Sequence, residues 1–300
     1  CNAWKRYSDG NTVIVAISVA PVNDAPVNTV PGTQVTAEDT ALVFSAGNSN
    51  QVVITDADAG GGQLDVILSV TNGTLTLAGT TGLTFATGVG TADSTMVFSG
   101  TLTDINSALA GLAYTPPANY HGAAVLSLAT SDLGHTGAGG TLTDTDTVNI
   151  TVNPVNDAPT VATPLADQNA TEDAVFTFTF DANAFADVDV GDALTYSALL
   201  TGGGLLPAWL SFDAATRTFS GTPLNGDVGT LNIDVTADDG KGGSVSDTFS
   251  IVAANTNDAP TVATPITNQS ATEDAAFSFQ FAANAFADAA VGHPLAYTAL

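Results

Sequence analysis

Short stretches in which apolar and polar residues alternate run through this chain, and clusters of Gly, Asp, Asn and Pro separate them. Residues 175–180 and 231–236 show the period of two that is typical of strands with one buried face. Seven short strands in about 100 residues predict an all-β sandwich of immunoglobulin-like type. In residues 154–254 these stretches lie near 160–165, 174–180, 193–200, 208–213, 216–220, 229–237 and 244–253.

A helical spacing interrupts the strand pattern in residues 103–112. Ile105, Leu109 and Leu112 fall on one face of a helix there. Residues 74–77 and 124–128 keep the strand pattern. We therefore expect a short helix between two strands of a sandwich.

The chain repeats itself. Asn-Asp-Ala-Pro boxes lie within residues 21–26, 154–159 and 256–260, and the sequence after the second and third boxes runs in register at a period of 101. An odd number of antiparallel strands puts the two termini of a module at opposite poles, so we expect tandem modules to form an elongated rod. Because the chain stops within a repeat, we also expect a fragment of a longer protein. The repeats predict the end of a β-sandwich repeat at 1–20, a complete repeat at 21–153, a second at 154–254 and the truncated start of a third at 255–300.

The glutamates occupy one place in each repeat. Glu38, Glu172 and Glu273 are the only glutamates of the chain, each is followed by Asp, and each lies 14 or 15 residues after the Asp of a box. Paired acidic residues at the same place in successive repeats predict ligands of a hard cation, and oxygen-rich clusters suit Ca²⁺.

Strand order predicts which acidic residues meet. Asp187, Asp189 and Asp238 fall in loops at the pole where Asp157 lies, whereas Glu172 falls in a turn at the opposite pole, beside the next box. Two carboxylates about 4 Å apart repel by roughly 4 kcal/mol at an effective dielectric constant of about 20, so such a group predicts a bound cation. The candidate calcium ligands are Asp24, Glu38, Asp39, Asp56, Asp58, Asn156, Asp157, Glu172, Asp173, Asp187, Asp189, Asp238, Asp258 and Asp288.

The acidic positions also allow a simpler interpretation, in which Asp and Asn serve only as good turn formers.

The third repeat differs from the second at two of the acidic positions. Ala290 and His293 stand where the second repeat has Asp189 and Asp192. We therefore expect the cation site beside Asp258 to be weaker or empty.

Charge and composition exclude several classes of function. The 30 acidic and four basic residues give a net charge of −26, which disfavours nucleic acid and anionic membrane surfaces as partners. Hydrophobic runs stay shorter than the roughly 18 residues of a membrane span, so direct membrane insertion within this segment is not expected. Cys1 is the only cysteine, which excludes an internal disulfide and a cysteine-based zinc site. The three histidines are scattered and no Gly-x-Ser-x-Gly motif occurs, so we do not expect an enzyme.

The boxes, the Glu-Asp pairs and Asp187-Val-Asp189 resemble the calcium-binding joints of cadherin repeats. Residues 154–254, through 206–213 and 217–223, resemble the dystroglycan-type cadherin-like domain. Residues 21–153, through 72–77, 103–112 and 114–116, resemble the cadherin-like repeats of bacterial giant adhesins. The resemblance implies a calcium-stiffened spacer in a secreted or surface-anchored adhesin of a Gram-negative bacterium. Such a spacer would meet a cell-surface or matrix ligand through regions outside this segment.

Two other functions remain open on the sequence. The second sandwich could be a carbohydrate- or protein-binding module, for which Trp209 and Tyr196 are the candidate aromatic platform. The chain could also be a non-catalytic accessory region of a large secreted enzyme or toxin.

Overall fold

The strands of the protein follow the alternating stretches of its sequence. The computed structural model describes residues 15–134, 137–289 and 294–298, and the chain divides into two units, Cys1–Val155 and Asn156–Leu300. Cys1 and most of the predicted 1–20 module lie outside the described residues. Both units are built from β-sheets, which confirms the predicted all-β class. The predicted module boundaries themselves stay predictions.

The first unit has one helix and eleven strands in its described part. They are β1 (Val27–Thr29), β2 (Gln34–Ala37), β3 (Leu42–Val43), β4 (Val53–Thr55), β5 (Gln63–Val70), β6 (Thr74–Thr76), β7 (Thr84–Thr87), β8 (Thr95–Thr101), α1 (Leu102–Leu109), β9 (Ala113–Thr115), β10 (Gly122–Ser131) and β11 (Thr143–Asn153).

Two main sheets enclose the core of the first unit. A six-stranded sheet has the order β2-β11-β10-β5-β8-β7, a three-stranded sheet has the order β3-β9-β6, and β1 pairs with β4. In β5, Leu64, Val66 and Leu68 point inward at every second position, as strand geometry requires. They join Tyr114 and Phe44 in one buried cluster. Each large apolar side chain buried in this way contributes about 1.5–3 kcal/mol to folding.

The predicted helix is present as α1 and ends three residues earlier than predicted. Thr101 caps it by accepting a hydrogen bond from the Asp104 amide at 3.2 Å. The Asn106 side chain fixes it to β4, because it accepts from the Ile54 amide at 2.9 Å and donates to the Ile54 carbonyl at 2.8 Å. The chain leaves the helix through Gly111, whose φ of 122° suits only glycine.

The second unit has eleven strands and one short 3-10 helix, Asn225–Asp227, in its described part. The strands are β12 (Thr160–Val161), β13 (Gln168–Thr171), β14 (Phe176–Thr179), β15 (Phe185–Ala186), β16 (Thr195–Leu200), β17 (Leu210–Asp213), β18 (Thr218–Gly221), β19 (Gly229–Asp238), β20 (Ser244–Ala254), β21 (Thr261–Val262) and β22 (Phe286–Ala287).

The second repeat is a sandwich of a four-stranded sheet, β13-β20-β19-β16, and a three-stranded sheet, β14-β18-β17. The strand predicted near 160–165 is present only as the short β12, and β13 is a further strand that the sequence pattern did not predict. β12 pairs antiparallel with β15, and β13 then pairs parallel with β20. Pro164 lies between β12 and β13, and its missing N–H group prevents a continuous ladder. Pro31 separates β1 from β2 in the same way in the first unit.

Aromatic rings fill the core of the second repeat. Phe219 lies with its ring centroid 4.5 Å from that of Phe212 and 5.3 Å from that of Phe249. Trp209 meets Phe176 edge-on at 6.3 Å, and Tyr196 meets Phe180 at 5.4 Å. Both aromatic residues that could have formed a ligand platform are half-buried and pack against this core.

The start of the third repeat reproduces the second at a distance of 101 residues. Val161 pairs with Phe185 and Val262 with Phe286 in equivalent registers. The ring contacts are repeated as well. Centroid distances of 6.0, 5.4 and 5.9 Å among Phe180, Phe185 and Tyr196 recur as 5.8, 5.3 and 5.7 Å among Phe281, Phe286 and Tyr297.

Gly221 generates a testable prediction, because a Cβ atom there would lie 1.7 Å from the Trp209 carbonyl oxygen. Gly221→Ala must push two paired strands apart, and we expect it to lower the free energy of unfolding by about 3 kcal/mol or more. Gly226→Ala is the matched control, since nothing lies within 4 Å of its Cβ position, and it should change stability by less than about 0.5 kcal/mol. Chemical denaturation measures both variants. Equal stability of the two would contradict the packing described for β17 and β18.

Candidate metal centre

Three aspartates gather in the loop between β15 and β16. Asp187, Asp189 and Asp192 each offer a carboxylate oxygen, and these oxygens lie within 4.8 Å of one another. The loop is folded tightly around them, because the Asp187 carboxylate accepts a hydrogen bond from the Asp189 amide at 2.9 Å. The Asp192 amide in turn donates to the Asp189 carbonyl at 3.3 Å. The local backbone thus holds three negative charges together.

The second box attaches to this loop. The Asp157 amide donates to Oδ2 of Asp189 at 2.8 Å. Oδ2 of Asp187 and Oδ2 of Asp192 are buried and have no hydrogen-bond partner among the described residues. Burying a carboxylate oxygen without a partner is costly, and the mutual repulsion of the three groups adds to that cost. The donor set therefore suits a hard cation, which takes six to eight oxygen ligands when it is Ca²⁺.

Asn156 joins the box to the last hairpin of the repeat. Its side chain donates to Oδ2 of Asp239 at 2.8 Å. Oδ1 of Asp239 accepts from the amides of Lys241, Gly242 and Gly243 at 2.6, 3.0 and 3.0 Å. These hydrogen bonds, with that from Asn156 first, hold the pKa of Asp239 below its ordinary value. Asp239 is therefore an anchor for the box.

Asp238 is the ligand predicted from the sequence in this hairpin, whereas the structure brings Asp239 to the box. Asp238 is exposed and accepts from the Gly240 amide at 2.8 Å. The signal was present in the strand alternation. Val235 and Ala237 face the core, so the next residue on that face is Asp239.

The first repeat has the same arrangement at its own box. The Asp24 amide donates to Oδ2 of Asp58 at 3.2 Å, and the Asp58 amide donates to Oδ1 of Asp56 at 3.1 Å. Oδ2 of Asp56 is buried, with no partner in the described part of the chain. Burial raises the pKa of Asp56, and the neighbouring Asp58 raises it further. Asp24, Asp56 and Asp58 thus correspond to Asp157, Asp187 and Asp189.

Asp132 is the counterpart of Asp239 in the first repeat, and the sequence analysis missed it. It is buried and accepts from the Asn23 side chain at 2.6 Å and from the amides of Gly134 and Leu142, both at 2.8 Å. Burial opposes its ionisation, but these hydrogen bonds outweigh burial and lower the pKa of Asp132. Because β10 points Leu128 and Thr130 inward, its alternation places Asp132 on the same side.

Each of the first two glutamates binds the start of the box that follows its repeat. Oε1 of Glu38 accepts from the Val155 amide at 2.5 Å, and Oε2 of Glu172 accepts from the Thr256 amide at 2.9 Å. Both glutamates are buried. Oε1 of Glu172 has no hydrogen-bond partner among residues 15–134, 137–289 and 294–298. Glu172 thus lies beside the third box, as strand order predicts.

The aspartates of the Glu-Asp pairs have a different position. Asp39, Asp173 and Asp274 take φ values of 56°, 61° and 59° and are exposed. This left-handed conformation is one that Asp tolerates better than most residues. Oδ1 of Asp39 also accepts from the Asn119 amide at 3.1 Å. Asp39, Asp173 and Asp274 thus have the geometry of turn residues, as expected if an Asp serves only as a turn former.

The third box is described in part. Asp258 is half-buried and accepts a hydrogen bond from the Asn225 side chain. Asp288 is also half-buried, whereas Glu273 is exposed. Ala290 and His293 lie outside the described residues, so a weaker or empty cation site beside Asp258 stays a prediction.

Comparison with known proteins places the second repeat in a known class. Residues 158–254 match the model of a family described as "Putative Ig domain". Together with the sandwich topology, this match defines an immunoglobulin-like domain. Domains of this class are typically extracellular and non-catalytic. Among the described residues no helix combines the length and apolar character that a membrane crossing requires.

Several solved structures show similarity to the chain, at low identity. Cadherin domains 1–5 of protocadherin gamma B2 share 12% identity over 80% of this chain and 42% of that chain, with a TM-score of 0.44. Mouse cadherin-23 EC22–24 shares 20% identity over 78% of this chain and 66% of that chain, with a TM-score of 0.40. An endo-fucoidan hydrolase from glycoside hydrolase family 107 shares 19% identity over 80% of this chain and 31% of that chain, with a TM-score of 0.28. The chain thus spans less than two thirds of each of these structures. No curated protein matches it.

The adjacent residues Asp238 and Asp239 give a matched pair for a prediction. Without metal at pH 7, Asp239→Asn should lower Tm by on the order of 5 °C, whereas Asp238→Asn should have little effect. Because the folded-state pKa of Asp239 is depressed, its stabilisation is present above the unfolded-state pKa of about 3.9 and is lost as pH falls through the lower folded value. The Tm difference between wild type and Asp239→Asn should therefore shrink as the pH falls below about 4. A difference that is independent of pH would exclude this role for the carboxylate.

Proposed function

We propose that this chain is a calcium-binding structural segment of a large extracellular adhesion protein, in which Ca²⁺ braces consecutive immunoglobulin-like repeats. One observation carries the proposal. Asp56 in the first repeat, and Asp187 and Asp192 in the second, each have a buried carboxylate oxygen with no hydrogen-bond partner among the described residues, and the box of each repeat is hydrogen-bonded to that loop.

The chemistry of the donors favours calcium over other metals. Every candidate side chain offers oxygen, and flexible oxygen-rich loops suit Ca²⁺, whereas Mg²⁺ demands near-ideal octahedral geometry and retains its water. Asp187, Asp189 and Asp192 would supply carboxylates to the ion. Asp239 would hold Asn156, and with it the box, in position. Extracellular modules of this kind typically bind Ca²⁺ with a Kd of about 10⁻⁴–10⁻³ M.

Calcium would also link one repeat to the next in this proposal. Glu172 supports it, because its buried carboxylate is already bonded to Thr256 at the start of the third box and has one oxygen without a hydrogen-bond partner in the described part of the chain. Glu38 makes the same contact with Val155. A cation at each box would then restrict the joint between repeats. The chain has a single cysteine, so internal disulfides offer no alternative means of stiffening it.

The cellular setting follows from the resemblance of the boxes and repeats. We place the chain in a secreted or surface-anchored adhesin of a Gram-negative bacterium, as a spacer whose second repeat is of dystroglycan type. The adhesive contact with a cell-surface or matrix ligand would be made by regions outside this segment. The packing of Trp209 and Tyr196 against the core supports this spacer role over carbohydrate binding by the second sandwich.

Thermal unfolding with Ca²⁺, Mg²⁺ or chelator tests the proposal. About 5 mM Ca²⁺ acting on a site with a Kd near 10⁻⁴ M should add roughly 2.3 kcal/mol per occupied site. Asp189→Asn should reduce this gain in the second unit, and Asp238→Asn, with the same change of charge at an exposed position, should retain it. An identical Tm in Ca²⁺ and in chelator, with no heat in a calcium titration, would overturn the proposal.

Asp56→Asn tests the site of the first unit separately. The pKa of the Asp56 carboxyl group is raised, so folding disfavours its ionised form. The variant removes this charge, and at pH 7 in chelator its Tm should therefore exceed that of wild type by about 2–4 °C. The same variant should lose the calcium gain of the first unit. Asp65→Asn is the control, because it removes one charge from the outer face of β5 in the same unit. Destabilisation of Asp56→Asn in chelator would show that the aspartate is a structural turn residue.

A further inference from the structure

Lys241 reaches the aspartates of the second repeat. Its Nζ lies 2.5 Å from Oδ1 of Asp192. Asp192 belongs to the group with Asp187 and Asp189, and its side chain is only 4% exposed. The lysine side chain is 56% exposed, so it remains largely in solvent while its ammonium group contacts Asp192.

Electrostatic contacts hold the ammonium group in its charged form. The hydrogen bond to Asp192 is the main cause of a raised pKa of Lys241, and the carboxylates of Asp192, Asp189 and Asp239 raise it further. Even with this ammonium present, Oδ2 of Asp187 and Oδ2 of Asp192 keep no hydrogen-bond partner within the described ranges. One positive charge therefore offsets the repulsion of the cluster without satisfying its oxygens.

The lysine is tethered to the same hairpin that anchors the box. Its backbone amide donates to Asp239 at 2.6 Å, while its side chain extends to Asp192. The four-carbon stem is flexible and its end is strongly hydrated when free, so the ammonium can leave for solvent while the backbone stays in place. A divalent cation that binds the three aspartates must displace it or share Asp192 with it.

We infer that Lys241 is a built-in counter-ion of the second repeat, which offsets part of the negative charge of the aspartate cluster in the absence of calcium and competes with Ca²⁺ for it. This inference rests on the proposed function and deepens it. The lysine sets the calcium concentration at which the second site fills. An ion pair whose lysine is largely exposed to solvent has a small net energy, which corresponds to a reduction in calcium affinity of about fivefold.

The first repeat lacks such a residue. No Lys or Arg occurs between Arg6 and Arg217, so residues 21–153 contain no counterpart of Lys241. The two sites should therefore differ in their response to a change at position 241. This difference provides an internal control within one molecule.

Amine labelling of the wild-type chain tests the displacement directly. An amine-acylating reagent is added in chelator, in Mg²⁺ and in Ca²⁺, and the modification of Lys241 is followed by mass spectrometry relative to Lys5. Calcium should raise the labelling rate of Lys241 about fivefold, because the ammonium is released to solvent. Calcium binding that stabilises the chain but leaves the labelling of Lys241 unchanged overturns the inference and leaves the proposed function intact. The absence of any calcium binding overturns both.

Lys241→Met gives the second test. In chelator the variant should lower the Tm of the second unit, and in calorimetry it should bind Ca²⁺ about fivefold more tightly at the second-repeat site, with the first-repeat site unchanged. Lys241→Arg keeps the charge and should retain most of the wild-type affinity. A lysine with a merely structural role would predict lower stability in both chelator and Ca²⁺, with no gain in affinity, and that result would overturn the inference.

Discussion

In the first two repeats, a hydrogen bond between the asparagine of the box and a buried aspartate holds the acidic residues in their arrangement. Asn23 binds Asp132 in the first repeat, and Asn156 binds Asp239 in the second. Each bond ties the first residues of a repeat to its last hairpin. The next residue of the box, Asp24 or Asp157, then donates its amide hydrogen to an aspartate of the β4–β5 or the β15–β16 loop. Together with the bond from the following Asp amide to the loop, this bond fixes the box against the loop carboxylates.

The fold and the acidic clusters have separate sources of stability. Apolar and aromatic side chains fill both cores, and the carboxylates of the clusters lie in the loops and boxes around them. The cores can therefore form without a cation, while the clustered carboxylates of the loops repel one another in a chain with a net charge of −26. Under the proposed function, calcium adjusts the order of the loops and boxes and has little part in choosing the fold.

Much of this architecture could be predicted from the sequence, because it depends on local patterns. The alternation of residues 175–180 and 231–236 predicts strands, and the spacing of Ile105 and Leu109 predicts the helix. The division of the first strand at Pro164 was missed, since a switch between sheets depends on partners far away in the sequence. Asp239 was missed in favour of Asp238 for a related reason, because only a known strand boundary fixes which of two neighbouring aspartates points inward. The pairing of Lys241 with Asp192 depends on how far a side chain reaches between two loops, and no spacing in the sequence reveals it.

The parallel pairing within each repeat has a mechanical consequence. β2 pairs with β11 and β13 pairs with β20, so in each sandwich a strand near the beginning of the repeat runs beside its last strand in the same direction. A force that pulls the two ends of a repeat apart slides these strands past each other along their length. Their hydrogen bonds are then loaded in shear and share the load, whereas an antiparallel hairpin pulled at its open end breaks one bond after another. The topology is therefore suited to a chain under tension.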